Sequence, residues 1–221
     1  MEYIYEERNI LSKTFCRELI EKFESDHRKY EGLIGTGRVD NTVKTCTDLS
    51  IEECTGWNLE IKRLNDAFHT AFENYQNNLK LNVFGEDKAH ILEKVFPYPN
   101  VNRTPFLMGR YGVDGHFLWH IDHINDRNGE RICNFIIYLN DHEACTEFVD
   151  GKKIKPEAGK IAFFPSTWTY GHSAKPVEEG NKYIITCFVF HGKLPKFIPP
   201  KEDLPKESLP KQSLPFIISH N

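Results

Sequence analysis

From about residue 106 to residue 190 the chain is a succession of short runs of β-branched and aromatic residues broken by Gly, Asp, Asn and Pro. That texture leaves few folds open. Runs of this length with turn residues between them are strands, and the periods of helical burial are missing from them. The pattern predicts eight strands, over 106–111, 116–120, 131–139, 146–149, 152–154, 160–164, 172–174 and 182–190. So many short strands bury their apolar faces only as a sandwich or jelly roll.

The preceding sequence has a different period. Ser12 stands as an N-cap before Phe15, Cys16, Leu19, Ile20 and Phe23, which share one helical face. A longer amphipathic helix is predicted from about Asn58, with Ile61, Leu64, Ala67, Phe68, Ala71, Phe72 and Tyr75 on its stripe. Residues 32–50 between the helices are rich in Gly, Thr and Asp, and read as a loop or short extended segments that fold over a site. The expected class is α+β, mainly β: a jelly roll with supporting N-terminal helices packed on one sheet. We expect one domain over 1–195, with helical support in 1–100 and a β core in 105–190.

The tail, 196–221, is rich in Pro and Lys, and 201–215 are three units, KEDLP, KESLP and KQSLP. A proline every fifth residue cannot continue a helix or enter a central strand, so a semi-extended linker or surface strap is expected.

Composition narrows the partners. The net charge is −4, with Lys and Arg spread along the chain, so no basic stripe exists to follow a phosphate backbone and nucleic acid is not expected. No apolar run reaches the length of a membrane span, and MEYIYEERNI carries three acids where a secretory signal is basic and then apolar. A cytoplasmic location is therefore expected. The six cysteines are far apart, without a CxxC pair, and are expected to be reduced.

The chemistry-bearing residues lie inside the predicted strands. In a strand, His120 and Asp122 would face the same way, with Ile121 directed into the core. Alone this means little, because an HxD arises about half the time by chance in a chain of this composition. His172 follows fifty residues after Asp122, far enough to cross a few strands and return. Two imidazoles and one carboxylate suit iron(II) with open positions for a co-substrate and dioxygen. Zinc with the same three ligands and a water stays open as an alternative. Lys182, ten residues after His172, offers a cation on the next strand for an organic acid, and Tyr111 a hydroxyl for the same group. Asn134 shares a face with Ile136 and Tyr138 and is expected either at the co-substrate or as a buried polar residue with a backbone partner.

These elements occur in a recognisable order: Arg110-Tyr111-Gly112-x-x-Gly115-x-Phe117-x-x-His120-x-Asp122, Arg131, Ile137-Tyr138-Leu139-Asn140, Thr146-x-Phe148, Pro156-x-x-Gly159, Phe163-Phe164-Pro165, Gly171-His172 and Pro176-Val177-x-x-Gly180-x-Lys182-Tyr183. The order resembles the catalytic domain of the prolyl 4-hydroxylase-like 2-oxoglutarate/iron(II) dioxygenases. The resemblance implies a double-stranded β-helix, catalytic iron(II) held by His120, Asp122 and His172, and 2-oxoglutarate held by Lys182 with Tyr111. It further implies hydroxylation of prolyl residues in a peptide or protein, with ascorbate as an added cofactor. Trp119, Trp168 and Tyr138 are assigned to the substrate mouth.

Two departures bear on the substrate. Glu143-Ala144-Cys145 stands where the family often has a Gly-Gly pair, and Ile184-Ile185-Thr186-Cys187-Phe188 lacks the tryptophan of collagen-type enzymes. A dioxygenase of a free amino acid or other small substrate, and a non-enzymatic cupin-like binding module, are the alternative readings. The arginine cluster of the related nucleic-acid-repair dioxygenases is missing after His172.

Overall fold

A computed structural model of the chain describes residues 3–35, 37–96, 102–123, 125–126 and 129–191, and the Lys/Pro-rich tail expected over 196–221 lies outside them. Helix α1 (Lys13–Ser25) begins where Ser12 accepts a hydrogen bond from the Phe15 amide, and buries Phe15, Cys16, Leu19 and Phe23. Helix α2 (Asn58–Asn78) buries Leu64, Phe68, Ala71, Phe72 and Tyr75 on one stripe, as their spacing requires. It runs on into a π turn, Leu79–Phe84, which stops at Gly85, whose φ of 74° takes the left-handed turn that a side chain would resist. Helix α3 (His90–Val95) follows.

Fourteen strands are present among the described residues: β1 (Tyr5–Glu7), β2 (Tyr30–Glu31), β3 (Lys44–Thr45), β4 (Thr47–Ser50), β5 (Asn102–Arg103), β6 (Leu107–Tyr111), β7 (His116–His120), β8 (Asn125–Asp126), β9 (Gly129–Tyr138), β10 (Thr146–Phe148), β11 (Lys153–Ile154), β12 (Ile161–Pro165), β13 (His172–Ala174) and β14 (Lys182–His191). The larger sheet has the order β1-β12-β9-β14-β6-β4-β2, with β5 also paired to β14 and β8 to β9. The smaller is β11-β10-β13-β7-β3. The two sheets form the jelly roll, and all eight strands expected between residues 106 and 190 are in it, with ends shifted by a few residues. Upstream, β3 and β4 fall in the stretch expected as a loop or short extended segments, whereas β1, β2 and β5 carry no strand signal of their own. These upstream strands have two to four residues each and are extended because they pair with the sheets.

Strand β9 explains the layering. Phe135 and Ile137 face the helices, where Phe135 stacks on Phe68 with ring centroids 5.0 Å apart and Tyr75 lies on Phe163 at 5.1 Å. Ile136 and Tyr138 face the opposite way, between the sheets, with Tyr111, Phe148, Phe164 and Ile184. A strand buried on both faces reads as an unbroken apolar run, and Phe135-Ile136-Ile137-Tyr138 is one. Among the described residues no helix is long and apolar enough to cross a membrane, and all six cysteines are free.

Candidate metal and co-substrate site

His120 ends β7 and His172 begins β13, and their Cα atoms are direct cross-strand partners. The next register pair is Ala174 with Phe117, so Leu118 and Trp119 together oppose Ser173, which makes a β-bulge. The extra residue brings Phe117 and His120, three apart in sequence, into a stack with ring centroids 3.5 Å apart. Asp122 lies past the end of β7 rather than on it, so its position comes from the turn leaving the strand and not from the alternation expected of His120 and Asp122. Ile121, expected in the core, is only half-buried for the same reason.

The three side chains converge. Asp122 Oδ1 is 3.6 Å from His120 Nε2, Oδ2 is 3.4 Å from His172 Nε2, and one ligand atom from each residue lies within 4.8 Å of the others. Each Nδ1 is near a carbonyl oxygen, that of Leu118 at 2.7 Å for His120 and that of Tyr170 at 3.1 Å for His172. A carbonyl can only accept, so each Nδ1 carries the proton and each Nε2 presents its lone pair. Burial, and next the neighbouring His172, pulls the His120 imidazole down to about 3, which keeps it neutral. Two neutral imidazoles and a carboxylate are a donor set that fits iron(II).

Asp122 is held in turn by Asn134, whose amide donates to Oδ2 while its own oxygen accepts from Ser166 Oγ. Asn134 and Ser166 are both buried. Asn134, expected at the co-substrate or with a backbone partner, instead contacts the Asp122 carboxylate and the Ser166 hydroxyl, both side chains. Ser166 escaped the sequence reading, since nothing in Pro165-Ser166-Thr167 marks a buried hydroxyl.

Three lysines are buried. Lys44, 6% exposed, meets Asp48 at 2.7 Å, and Lys160, 2% exposed, meets Glu157 at 2.5 Å and Glu6 at 3.4 Å. Lys182 is 1% exposed and has no carboxylate within ion-pair distance among the described residues; its ammonium donates to the Ala144 carbonyl at 3.2 Å. Burial pulls its pKa down to about 8. An interior ammonium without a counter-charge is costly unless an anion arrives, and the free carboxylate of 2-oxoglutarate supplies that chemistry. Tyr111 is directly opposite Lys182 in the β6–β14 register, with its ring centroid 4.9 Å from the ammonium.

The assigned mouth residues separate. Trp168, 78% exposed, sits on the turn Trp168–Tyr170 just before His172. Trp119 is half-buried, with the Lys175 ammonium 5.8 Å from its ring. Tyr138 is fully buried between the sheets and shares a 2.8 Å hydrogen bond with Thr146, so it is a wall of the interior and not part of the rim. A cleft of about 860 Å³ includes none of the triad; it lies past the end of β9 around Asn140, with Arg8 paired to Glu157 at 2.7 Å and Lys155 to Glu143 at 2.5 Å.

The sequence model of the 2OG-Fe(II) oxygenase superfamily matches residues 106–190. Residues 106–190 are thus similar to the 2-oxoglutarate/iron(II) oxygenases, and the fold is that of solved prolyl hydroxylases. Among solved structures, a prolyl hydroxylase from Trichoplax adhaerens in complex with a hypoxia inducible factor oxygen degradation domain peptide aligns with a TM-score of 0.65 at 17% identity, over 86% of this chain and 84% of that one. The viral collagen prolyl hydroxylase of Paramecium Bursaria Chlorella virus-1, as its 2OG complex, aligns with a TM-score of 0.57 at 19% identity, over 85% and 96%. A Pseudomonas putida prolyl-4-hydroxylase gives 0.57 at 15%, over 86% and 94%. At these identities the likeness is one of fold. No curated protein matches the chain at a significant level.

Proposed function

We propose that this chain hydroxylates prolyl residues of a peptide or protein, with His120, Asp122 and His172 holding iron(II) and Lys182 pairing with 2-oxoglutarate. The observation that carries the cofactor assignment is the buried Lys182 ammonium without a carboxylate partner, in the same jelly roll as the His-Asp-His donor set. When bound, iron(II) and 2-oxoglutarate supply the oxidising power that inserts one oxygen of O2 into a C–H bond, with succinate and carbon dioxide as by-products.

The protein's own contribution is placement. The Leu118 and Tyr170 carbonyls fix the two imidazole tautomers, and Asn134, braced by Ser166, fixes the carboxylate. The apolar walls Tyr138, Phe148 and Phe164 keep water from the interior. Tyr111 offers its ring face to the Lys182 ammonium, which orients the cation without neutralising it. Support for a prolyl substrate comes from the fold shared with prolyl hydroxylases, one of them in complex with a peptide.

Ascorbate as a supporting reductant, a single domain over 1–195 and a cytoplasmic location belong to the same reading. The test is succinate release with iron(II), 2-oxoglutarate, and a panel of prolyl peptides and free amino acids, with and without ascorbate. A prolyl peptide should be oxidised at proline; oxidation of a free amino acid alone would overturn the prolyl assignment, and no iron-dependent succinate at all would overturn the cofactor assignment.

A further inference from the structure

Strand β14 is the last described element, and its far end lies toward the triad. Lys182 lies at its start and His191 at its end, and Phe190 pairs with Arg131 at the entry of β9. Three residues on along β9 is Asn134, the residue that holds Asp122, a separation of about 10 Å at the rise of a strand. The chain therefore leaves β14 close to the triad. Fourteen residues beyond His191 is Pro205, the first of three Leu-Pro steps at Pro205, Pro210 and Pro215.

An apolar rim lies beside that exit. The Ser166 amide donates to the Ile132 carbonyl, so the turn bearing Trp168 flanks the same stretch of β9 from the β12 side as β14 does from the other. Trp168 is the most exposed large apolar side chain among the described residues, and Val149, whose amide donates to the Gly171 carbonyl, is 54% exposed. Val149 and Ile121 meet over Gly171, where an added Cβ would fall 2.9 Å from the first and 3.7 Å from the second. Gly171 immediately precedes the ligand His172. Proline rings pack well on a rigid exposed aromatic face.

We propose that the occupant of this rim is the chain's own Leu-Pro repeat, and that Pro205, Pro210 and Pro215 are hydroxylated in cis. The proposal rests on the prolyl reading given above and names its substrate. Fourteen residues span up to about 45 Å, well beyond the roughly 10 Å of β9 between Arg131, opposite the end of β14, and Asn134, so the tether is long enough to fold back. A linker of this length holds its cargo at an effective concentration on the order of millimolar. Each turnover joins one oxygen of O2 to a ring carbon as C–OH; the other oxygen goes to the keto carbon of 2-oxoglutarate, which leaves as succinate, with its first carboxyl lost as carbon dioxide. Five-residue spacing presents the units one after another.

The test uses the full chain with iron(II), 2-oxoglutarate and air, with peptide mass spectrometry of the tail over a wide dilution series and an added Leu-Pro peptide as a parallel substrate. The expected result is a gain of one oxygen on at least one of the three prolines, with a half-time that does not change on dilution. The gain should be lost without 2-oxoglutarate and in Asp122→Ala, and slowed roughly threefold to tenfold in Trp168→Ala. A half-time that shortens as the protein is concentrated would mean reaction between copies and would overturn the cis assignment. Oxidation of the added peptide with an unmodified tail would overturn the proposal and leave the prolyl reading standing; no oxidation of either would remove both.

Discussion

Lys182 places a charge where water barely reaches it and, among the described residues, no acid pairs with it, and that imbalance can be measured. Its pKa falls from 10.5 to about 8 through burial. Between those two values the unfolded chain holds a proton that the folded chain has released, so the contribution of Lys182 to stability rises with pH across the window, and the desolvation cost is complete below about 8. Urea midpoints of the wild type and Lys182→Met, compared over that range, should converge as pH increases. An arriving carboxylate reverses the preference and favours the charged amine. Affinity for 2-oxoglutarate should therefore decline above pH 8, and a dissociation constant flat across the window would contradict the pairing. In Lys182→Met the affinity should fall roughly 10- to 100-fold, the worth of one charge-assisted hydrogen bond, while iron(II) binding measured by calorimetry stays near that of the wild type.

Elements decide how firmly those residues are held. The bulge in β7 sets Phe117 against His120, and the β9–β12 pair brings Asn134 beside Phe164, two residues before Ser166 in the chain. Asn134→Ala would leave the Asp122 carboxylate without its amide donor and the Ser166 hydroxyl without its acceptor. It should cost about 1–3 kcal/mol of stability and lower iron(II) affinity roughly 10- to 100-fold, read by chemical denaturation and by metal titration. The helical layer acts at a different level. Phe163 is fully buried and stacked with Tyr75, within reach of Phe68 and Phe72, so Phe163→Ala should cost about 3–5 kcal/mol in a urea melt. Its effect on metal affinity should be small, because the ring points away from the triad on the far face of the larger sheet.

At the scale of the molecule, the proposed cofactors would bind the folded chain at a site that the unfolded chain lacks, since Asp122 and His172 are fifty residues apart in sequence. Saturating metal at a hundred times its dissociation constant should stabilise the domain by about 2.7 kcal/mol, seen as a rise in the thermal midpoint that a chelator reverses. The long strands β9 and β14 carry the architecture. They pair with each other along nearly their whole length, Ile184 with Tyr138 through His191 with Glu130, at the centre of the larger sheet.

The strand pattern over 106–190, the two helical stripes and the identity of the triad were legible in the sequence because each rests on local periodicity or on side-chain chemistry. Several features were not: the bulge that stacks Phe117 on His120, the position of Asp122 beyond its strand, the Ser166–Asn134–Asp122 chain, and the burial of Lys182 with no carboxylate at ion-pair distance among the described residues. Each of these depends on register or burial, and both arise from contacts between segments far apart in the chain. A lysine in a sequence is only a cation; packing alone decides whether an acid stands beside it.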